Sequence, residues 1–376
     1  MDVITFFTVV FYSSLLFPIL AIIPLFKSNN KKIINLVTDY LGPAYVILVF
    51  LLIAFRPLGP SGFSDSEMYI HWFNEAKFKN IFPTKDVGFG LLIFLTSKVL
   101  TVRMFFVLCS LLSFGILFWV SKAIAGRYWF FFFLGCMASL YFWNHQVFTI
   151  RQGLASIIFL AGLFQKRLSF TIILFLLAVS FHKSFLLPFI CYFIVHFSSK
   201  TPVYLACWGL AIPVSYFFGH QIGEFVSIYL PDDVRYYYSH RELGSIHAYR
   251  WDVVFYSFLF ILLPYRYRYL DQQYSKIYNL YILTNIFVIL FIQFTEGFIH
   301  RFAYLSWFLS PVLLYYPLFK NKIKFSFQKY FWILIFFYFL IIVYLTIKIY
   351  NQDYKFIPDQ IVIKENINFM SQIIFM

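Results

Sequence analysis

Charge is what this chain has least of. Only 12% of its 376 residues are Asp, Glu, Lys or Arg, against roughly a quarter in an ordinary soluble domain, and that excludes a water-soluble globular fold. Cysteine is also scarce. Cys109, Cys136, Cys191 and Cys207 all lie inside apolar runs without CxxC spacing, which excludes a disulfide framework or a zinc site of the usual kind. There is no P-loop, no GxGxxG and no HExxH, so no cofactor and no metal are expected. The first apolar stretch has no basic leader and no small-residue cleavage site, so no cleavable signal peptide is expected either.

What is present is hydrophobic. Apolar residues make up 61% of the chain and aromatics 24%. Apolar runs of ~17–25 residues recur, the length that crosses ~30 Å of hydrocarbon. Inside a bilayer the backbone must satisfy itself within each span, which favours helices. A barrel would alternate polar and apolar residues, and runs such as Phe130 to Phe133 do not. The fold class expected is therefore all-α, a polytopic integral membrane protein. The net charge of +14 is read as loop lysines that orient the protein and meet anionic lipid. No nucleic-acid partner is expected.

About twelve spans are expected, over 3–26, 38–55, 102–121, 129–144, 151–165, 168–182, 184–198, 203–219, 252–266, 277–294, 302–319 and 330–349. They form one membrane domain over 1–376. The stretch 87–100 is apolar but short and reads as an interfacial or re-entrant helix. One set of loops carries Lys27, Lys31 and Lys32, Lys122 and Arg127, Lys166 and Arg167, Lys200, Arg266 and Arg268, and Lys320 to Lys329, almost without acid. By the positive-inside rule these loops face the cytoplasm, and both termini fall on the opposite side. That opposite side holds Asp65, Glu67, Asp86, Asp232, Asp233 and Glu296, with two larger extracytoplasmic loops over about 56–86 and 220–251.

Three polar clusters interrupt the apolar helices on this outer side. In the first, Arg151 and Gln152 follow Asn144 and His145 and open a helix, with Gly153, Ala155 and Ser156 close behind. Unpaired N–H groups, a positive dipole end and a guanidinium fork together suit a phosphate oxygen. The competing reading is an arginine snorkelling at the interface. In the second, Phe181, His182, Lys183 and Ser184 break two short apolar runs, which leaves His182 as a base, a phosphate donor or a helix-terminus residue. In the third, Glu296 precedes His300 and Arg301, which open another helix. Two arginines at separate helix starts have the means to grip one diphosphate from two directions. The loop 56–86 adds Arg56, then Asp65 and Tyr69, four apart and so on one helical face, a pairing that also suits a sugar. Ser64 is placed to cap that helix, and Asp86 closes the loop.

In this order the residues resemble a family. Asp65-x-x-x-Tyr69, Asp86-x-Gly88-Phe89, Ile150-Arg151-Gln152-x-Leu154-Ala155, Phe181-His182-Lys183-Ser184 and Arg301 are similar to the EpsG/Wzy-type bacterial polysaccharide polymerases over about residues 60–310. The family more often has Glu where Asp86 stands, and Pro where Val87 stands. The resemblance implies a metal-independent glycosyltransferase with a C-type membrane fold. It implies an undecaprenyl-diphosphate-linked glycan donor and acceptor, joined at the outer face of the bacterial inner membrane, with the bilayer and a chain-length regulator as further partners. The products expected of such a polymerase are O-antigen, capsule or exopolysaccharide. On that reading Arg151 and Arg301 hold the donor diphosphate, and His182 activates the acceptor hydroxyl or binds the departing phosphate. Asp65 is the alternative base, and Gln152, Lys183, His300, Tyr69, Asp86 and Arg56 contact substrate. Two other classes fit less well. A lipid-linked oligosaccharide flippase needs cations through a central cavity, and a membrane O-acyltransferase has no need of paired arginines.

Overall fold

The computed structural model describes residues 35–56, 58, 64–137, 139–228, 249–293 and 296–320; the regular structure among those residues is helical, with no strand. The spans expected over 3–26 and 330–349 lie outside the described residues, as does 229–248 of the second large loop.

A π-helical turn over Val37–Leu41 runs into α1 (Gly42–Ala54). In the loop that follows lie α2 (Ser64–Asn74) and, after a π-turn and a short extended stretch, α3 (Val87–Ser97). Thr101 caps the next helix by accepting from the Met104 N–H, and α4 (Val102–Ala125) follows. Then come α5 (Trp129–Met137), α6 (Leu140–Trp143), a π-turn over Asn144–Phe148, α7 (Ile150–Leu163) and α8 (Leu168–Phe181). A single 3-10 turn leads into α9 (Leu186–Phe197), which is followed by α10 (Thr201–Ser227), α11 (Trp251–Leu262) and α12 (Gln272–Leu290). Last are α13 (Glu296–Trp307) and α14 (Ser310–Lys320).

The centre of this body is α7, in which every residue from Ile150 to Leu163 is buried. A helix surrounded on all sides has no polar face to offer water, and it packs on α4 and α8. Further out, α8 meets α3, α1 meets α4, and α9 and α10 both pack on α12. At the end of α7 away from Arg151, Gln273 Nε2 of α12 donates to the Leu163 carbonyl at 3.0 Å. There too Asn279 links Thr201 and Ser199 at 2.8 and 2.9 Å. Lys166, Arg167, Lys200 and Lys276 therefore lie toward that end of the helices, and Arg151, His182 and Arg301 lie at the other.

Among the described residues, three stretches are long and apolar enough to cross a membrane: Val37–Ala54, Val102–Met137 and Thr201–Val226. Large apolar side chains stay exposed along them, such as Ile47, Leu111 and Phe217, as lipid-facing surfaces require. The protein is a helical membrane protein. The segment expected to be short, 87–100, is the eleven-residue α3. Two expected spans differ. The run 129–144 breaks near Ser139, and the run 302–319 breaks between α13 and α14. At the second break Ser310 Oγ donates to the Trp307 carbonyl at 2.7 Å. Serine hydroxyls that capture a nearby backbone carbonyl loosen the helical ladder, and hydropathy does not register it. All four cysteines are free, three of them buried.

Candidate functional site

Two close backbone approaches bring the site together. A side chain at Gly88, at the start of α3, would lie 2.2 Å from Ser180 Oγ of α8. A Cβ at Gly153 would lie 2.5 Å from the His145 carbonyl oxygen. Glycine at both positions lets the π-turn, α7, α3 and the end of α8 converge.

Asp86 stands just before α3 and serves two elements. One carboxylate oxygen pairs with the Arg151 guanidinium, and the other accepts from the Lys183 backbone N–H at 3.1 Å. Arg151 and Asp86 are each only about 6% exposed at the side chain. The Arg151 guanidinium also sits 5.8 Å from the Tyr69 ring centre and 5.2 Å from that of Trp72, a cation–π arrangement strengthened by burial. Its Nε is buried without a partner among the described residues.

The Tyr69 hydroxyl donates to Asp65 at 3.4 Å, and the other Asp65 oxygen receives Arg301 Nη2 at 3.2 Å. Burial, with Asp65 beside it, pushes the Tyr69 phenol well above its usual range, so it remains a donor. Gln152 Nε2 donates to the Arg301 carbonyl at 2.8 Å, tying the start of α7 to α13. The chain of contacts therefore runs Lys183 backbone, Asp86, Arg151, Tyr69, Asp65, Arg301. The Arg301 side chain is 48% exposed, in contrast to Arg151.

His182 ends α8 in extended conformation, its N–H bonded to the Ala178 carbonyl. Its Nδ1 lies 2.5 Å from Ser184 Oγ, and among the described residues its Nε2 has no hydrogen-bond partner. The Lys183 side chain next to it is exposed. Deeper in, His145 is buried edge-on between Tyr141 and Tyr304, with ring centres 5.4 and 5.1 Å away. Both its nitrogens are unpartnered among the described residues. Asn144 donates to the Tyr304 hydroxyl at 3.0 Å.

Asp65, Tyr69, Asp86, Arg151, Gln152, Lys183 and Arg301 thus come together, with His182 at their edge. Arg56 sits apart from that contact chain. It is fully buried, its Nη1 donating to the Ile53 carbonyl at 2.9 Å and its guanidinium 4.8 Å from the Phe106 ring centre. Arg103 in turn donates to the Arg56 carbonyl. The His300 and Glu296 backbones lie on α13, but their side chains, like that of Ser64, are outside the described residues. Trp72 was not expected. Its signal was its place three residues after Tyr69 on the same face of α2. Among the described residues no three His, Cys, Asp or Glu side chains gather as metal ligands.

Chemically, the cluster offers three cationic side chains, a carboxylate that can leave its partner, and an imidazole beside a backbone break. It is suited to hold an anion with several oxygens and to take a proton from a nearby hydroxyl. In comparison with known proteins, the model of the EpsG family matches residues 39–361. No curated protein and no solved structure matches the chain.

Proposed function

Because the chain belongs to the EpsG family, we propose that it is a polysaccharide polymerase that joins lipid-diphosphate-linked oligosaccharide units. The reaction takes place at the outer face of the bacterial inner membrane, on undecaprenyl diphosphate carriers, without a metal. The observation that carries this reading is the network in which Arg151 and Arg301, from different helices, are linked through Tyr69 and Asp65 at one end of an apolar helical body.

In the reaction, the bond between the donor sugar and its diphosphate breaks, and the electron pair stays on the diphosphate oxygen. A hydroxyl oxygen of the acceptor unit forms the new bond to the sugar carbon. Its proton passes to His182 or Asp65. The half-exposed Arg301 is the guanidinium that an arriving diphosphate reaches first, and taking it up releases Asp65 from its ion pair. Arg151, clamped by Asp86 and framed by Tyr69 and Trp72, holds a fixed positive field behind it. Fixed charges aimed at developing negative charge are often the largest catalytic contribution. A diphosphate needs little help in leaving, so charge outweighs proton transfer here. Lys183 and His300 assist at the phosphates, while Gln152 and Arg56 hold the arginine and aromatic groups in place.

The test is made in cells. A strain carrying Arg301→Ala at normal membrane abundance is expected to accumulate single repeat units on the lipid carrier or its acceptor in place of long polymer. Full-length polymer in that strain overturns the assignment. Full-length chains that merely lack a substituent indicate an acyltransferase, and absence of any outer-face units indicates a flippase.

A further inference from the structure

Beside the polar cluster, an open groove of about 370 Å³ runs down the helical body between α4, α7 and α8. Three helical stripes line it: Gly115 and Trp119 on α4, Leu154 and Ala161 on α7, Leu174 and Phe181 on α8, with Gln165 just past the end of α7. The Gln165 side chain turns its amide to the Ala161 carbonyl of α7 at 3.2 Å. The lining is therefore hydrocarbon, which a water column would not wet. From Leu154 to Ala161 the groove follows seven residues of helix, about 10 Å at 1.5 Å per residue, or about a third of the ~30 Å hydrocarbon layer.

The position of its upper end identifies the occupant. Leu154 lies one turn after Arg151 on α7, and Phe181 immediately precedes His182. The Phe181 ring packs on Phe89 at 6.2 Å, and Phe89 packs on Tyr69 at 5.3 Å, so a row of packed aromatic rings runs from the groove lining to the ring that faces the Arg151 guanidinium. An ordinary lipid filling a surface depression needs no such continuity with a cationic cluster. We propose that this groove seats the first part of the prenyl chain of a lipid diphosphate whose head lies against Arg301, His182 and Lys183, in front of the covered Arg151. The inference rests on the diphosphate reading above and adds to it a specific tail site, so chain length becomes part of what the protein recognises.

Gly115 provides the test. A Cβ there meets nothing within 4 Å, so a leucine at this position starts into open space on the groove side. Helix propensity favours that replacement, leucine being better than glycine inside a helix. The full chain, purified in detergent, is titrated with two labelled probes, geranyl diphosphate and undecaprenyl diphosphate. The wild-type protein is expected to bind the long probe at least tenfold more tightly. Gly115→Leu is expected to weaken the long probe about tenfold and leave the short one unchanged, since two buried methylene groups already amount to such a factor. Arg301→Ala weakens both probes alike. If Gly115→Leu keeps its melting temperature and binds the long probe as the wild type does, the groove assignment is overturned while the diphosphate reading stands. Displacement of the long probe by a modest excess of phosphatidylglycerol overturns it as well, showing bulk lipid as the occupant. If neither probe binds the wild-type protein, the diphosphate reading itself falls, and the groove assignment with it.

Discussion

The two arginine stations of the site are built from the same parts and differ in access. Each is a helix-borne guanidinium paired with a carboxylate from the region before α4. Only Arg151 stands at a helix start; Arg301, expected to open its helix, is the sixth residue of α13, because that helix begins at Glu296. At the inner station Arg151 and Asp86 are both about 6% exposed, with Tyr69 and Trp72 against the guanidinium. At the outer station the Arg301 side chain is 48% exposed and Asp65 11%. A covered pair cannot exchange its carboxylate for a ligand without leaving a charge stranded in a medium that solvates it poorly. A half-open pair can, because water and ligand both reach it, and because exposed pairs are worth only ~0–1 kcal/mol. The inner station is thus a fixed electrode and the outer one a hand that opens. In a site that must take up and release an anionic carrier on each turnover, that division keeps the field in place while the grip cycles.

The largest effect that separates the stations falls on stability. Asp86→Ala strands the buried Arg151 guanidinium and removes the acceptor of the Lys183 N–H. Losing one partner of a buried pair costs about 3–5 kcal/mol, so the variant is expected to unfold at markedly lower temperature or denaturant and to lose activity with its fold. Replacing both partners with apolar residues, Arg151→Met with Asp86→Leu, is expected to recover much of the stability and none of the activity. A melting temperature for Asp86→Ala equal to wild type would show that the inner pair is not the clamp described.

Arg301→Ala is expected to divide the two quantities the other way. Polymerisation falls by ~10²–10³, the usual cost of removing a charge-directed donor. Thermal stability barely moves, because an exposed pair contributes at most ~1 kcal/mol. The rate is measured with membrane vesicles and isolated lipid-linked units, and the melting temperature on purified protein. A stability loss as large as that of Asp86→Ala would erase the contrast between the stations.

Much of this was open to sequence reasoning, and what was missed follows a pattern. Composition and run length were enough for an all-helical membrane body, and the break at His182, the helix start at Arg151 and the short helix after the first loop all stand where the pattern put them. Asp65 and Tyr69 share a face because they are four apart, a local relation. What could not be read is non-local. Nothing in the chain marks Asp86 as the counter-ion of a residue 65 positions later. Nor does anything mark the Arg301 carbonyl as the acceptor for Gln152, 149 positions earlier. Buried breaks escaped for another reason. Residues near Ser139 and Ser310 are as apolar as those in an unbroken span, so hydropathy runs through the points where a serine hydroxyl competes for the backbone. The fourteen-residue α7 shows the same limit: at about 21 Å it falls short of a full crossing, and only its burial on every side explains why it is so apolar.

The smallest effect tests whether the stations act together. Tyr69 stands between them, its ring against Arg151 and its hydroxyl on Asp65. Tyr69→Phe keeps the ring and removes only the hydroxyl. A hydrogen bond of 3.4 Å belongs at the weak end of the usual range, so the cost in stability should be about 0.5–1 kcal/mol. The informative quantity is the rate of the double variant. Asp65 is shared by Tyr69 and Arg301, so removing the hydroxyl changes how firmly that carboxylate holds Arg301, and once Arg301 is gone the hydroxyl has less to influence. The effects of Tyr69→Phe and Arg301→Ala on polymerisation, each expressed as an activation free energy, are therefore expected to miss additivity by more than ~0.5 kcal/mol, as contacting residues do. Additivity within that margin would mean that the outer grip opens without any influence from the inner side, and the path from Arg151 through Tyr69 and Asp65 to Arg301 would be geometry without coupling.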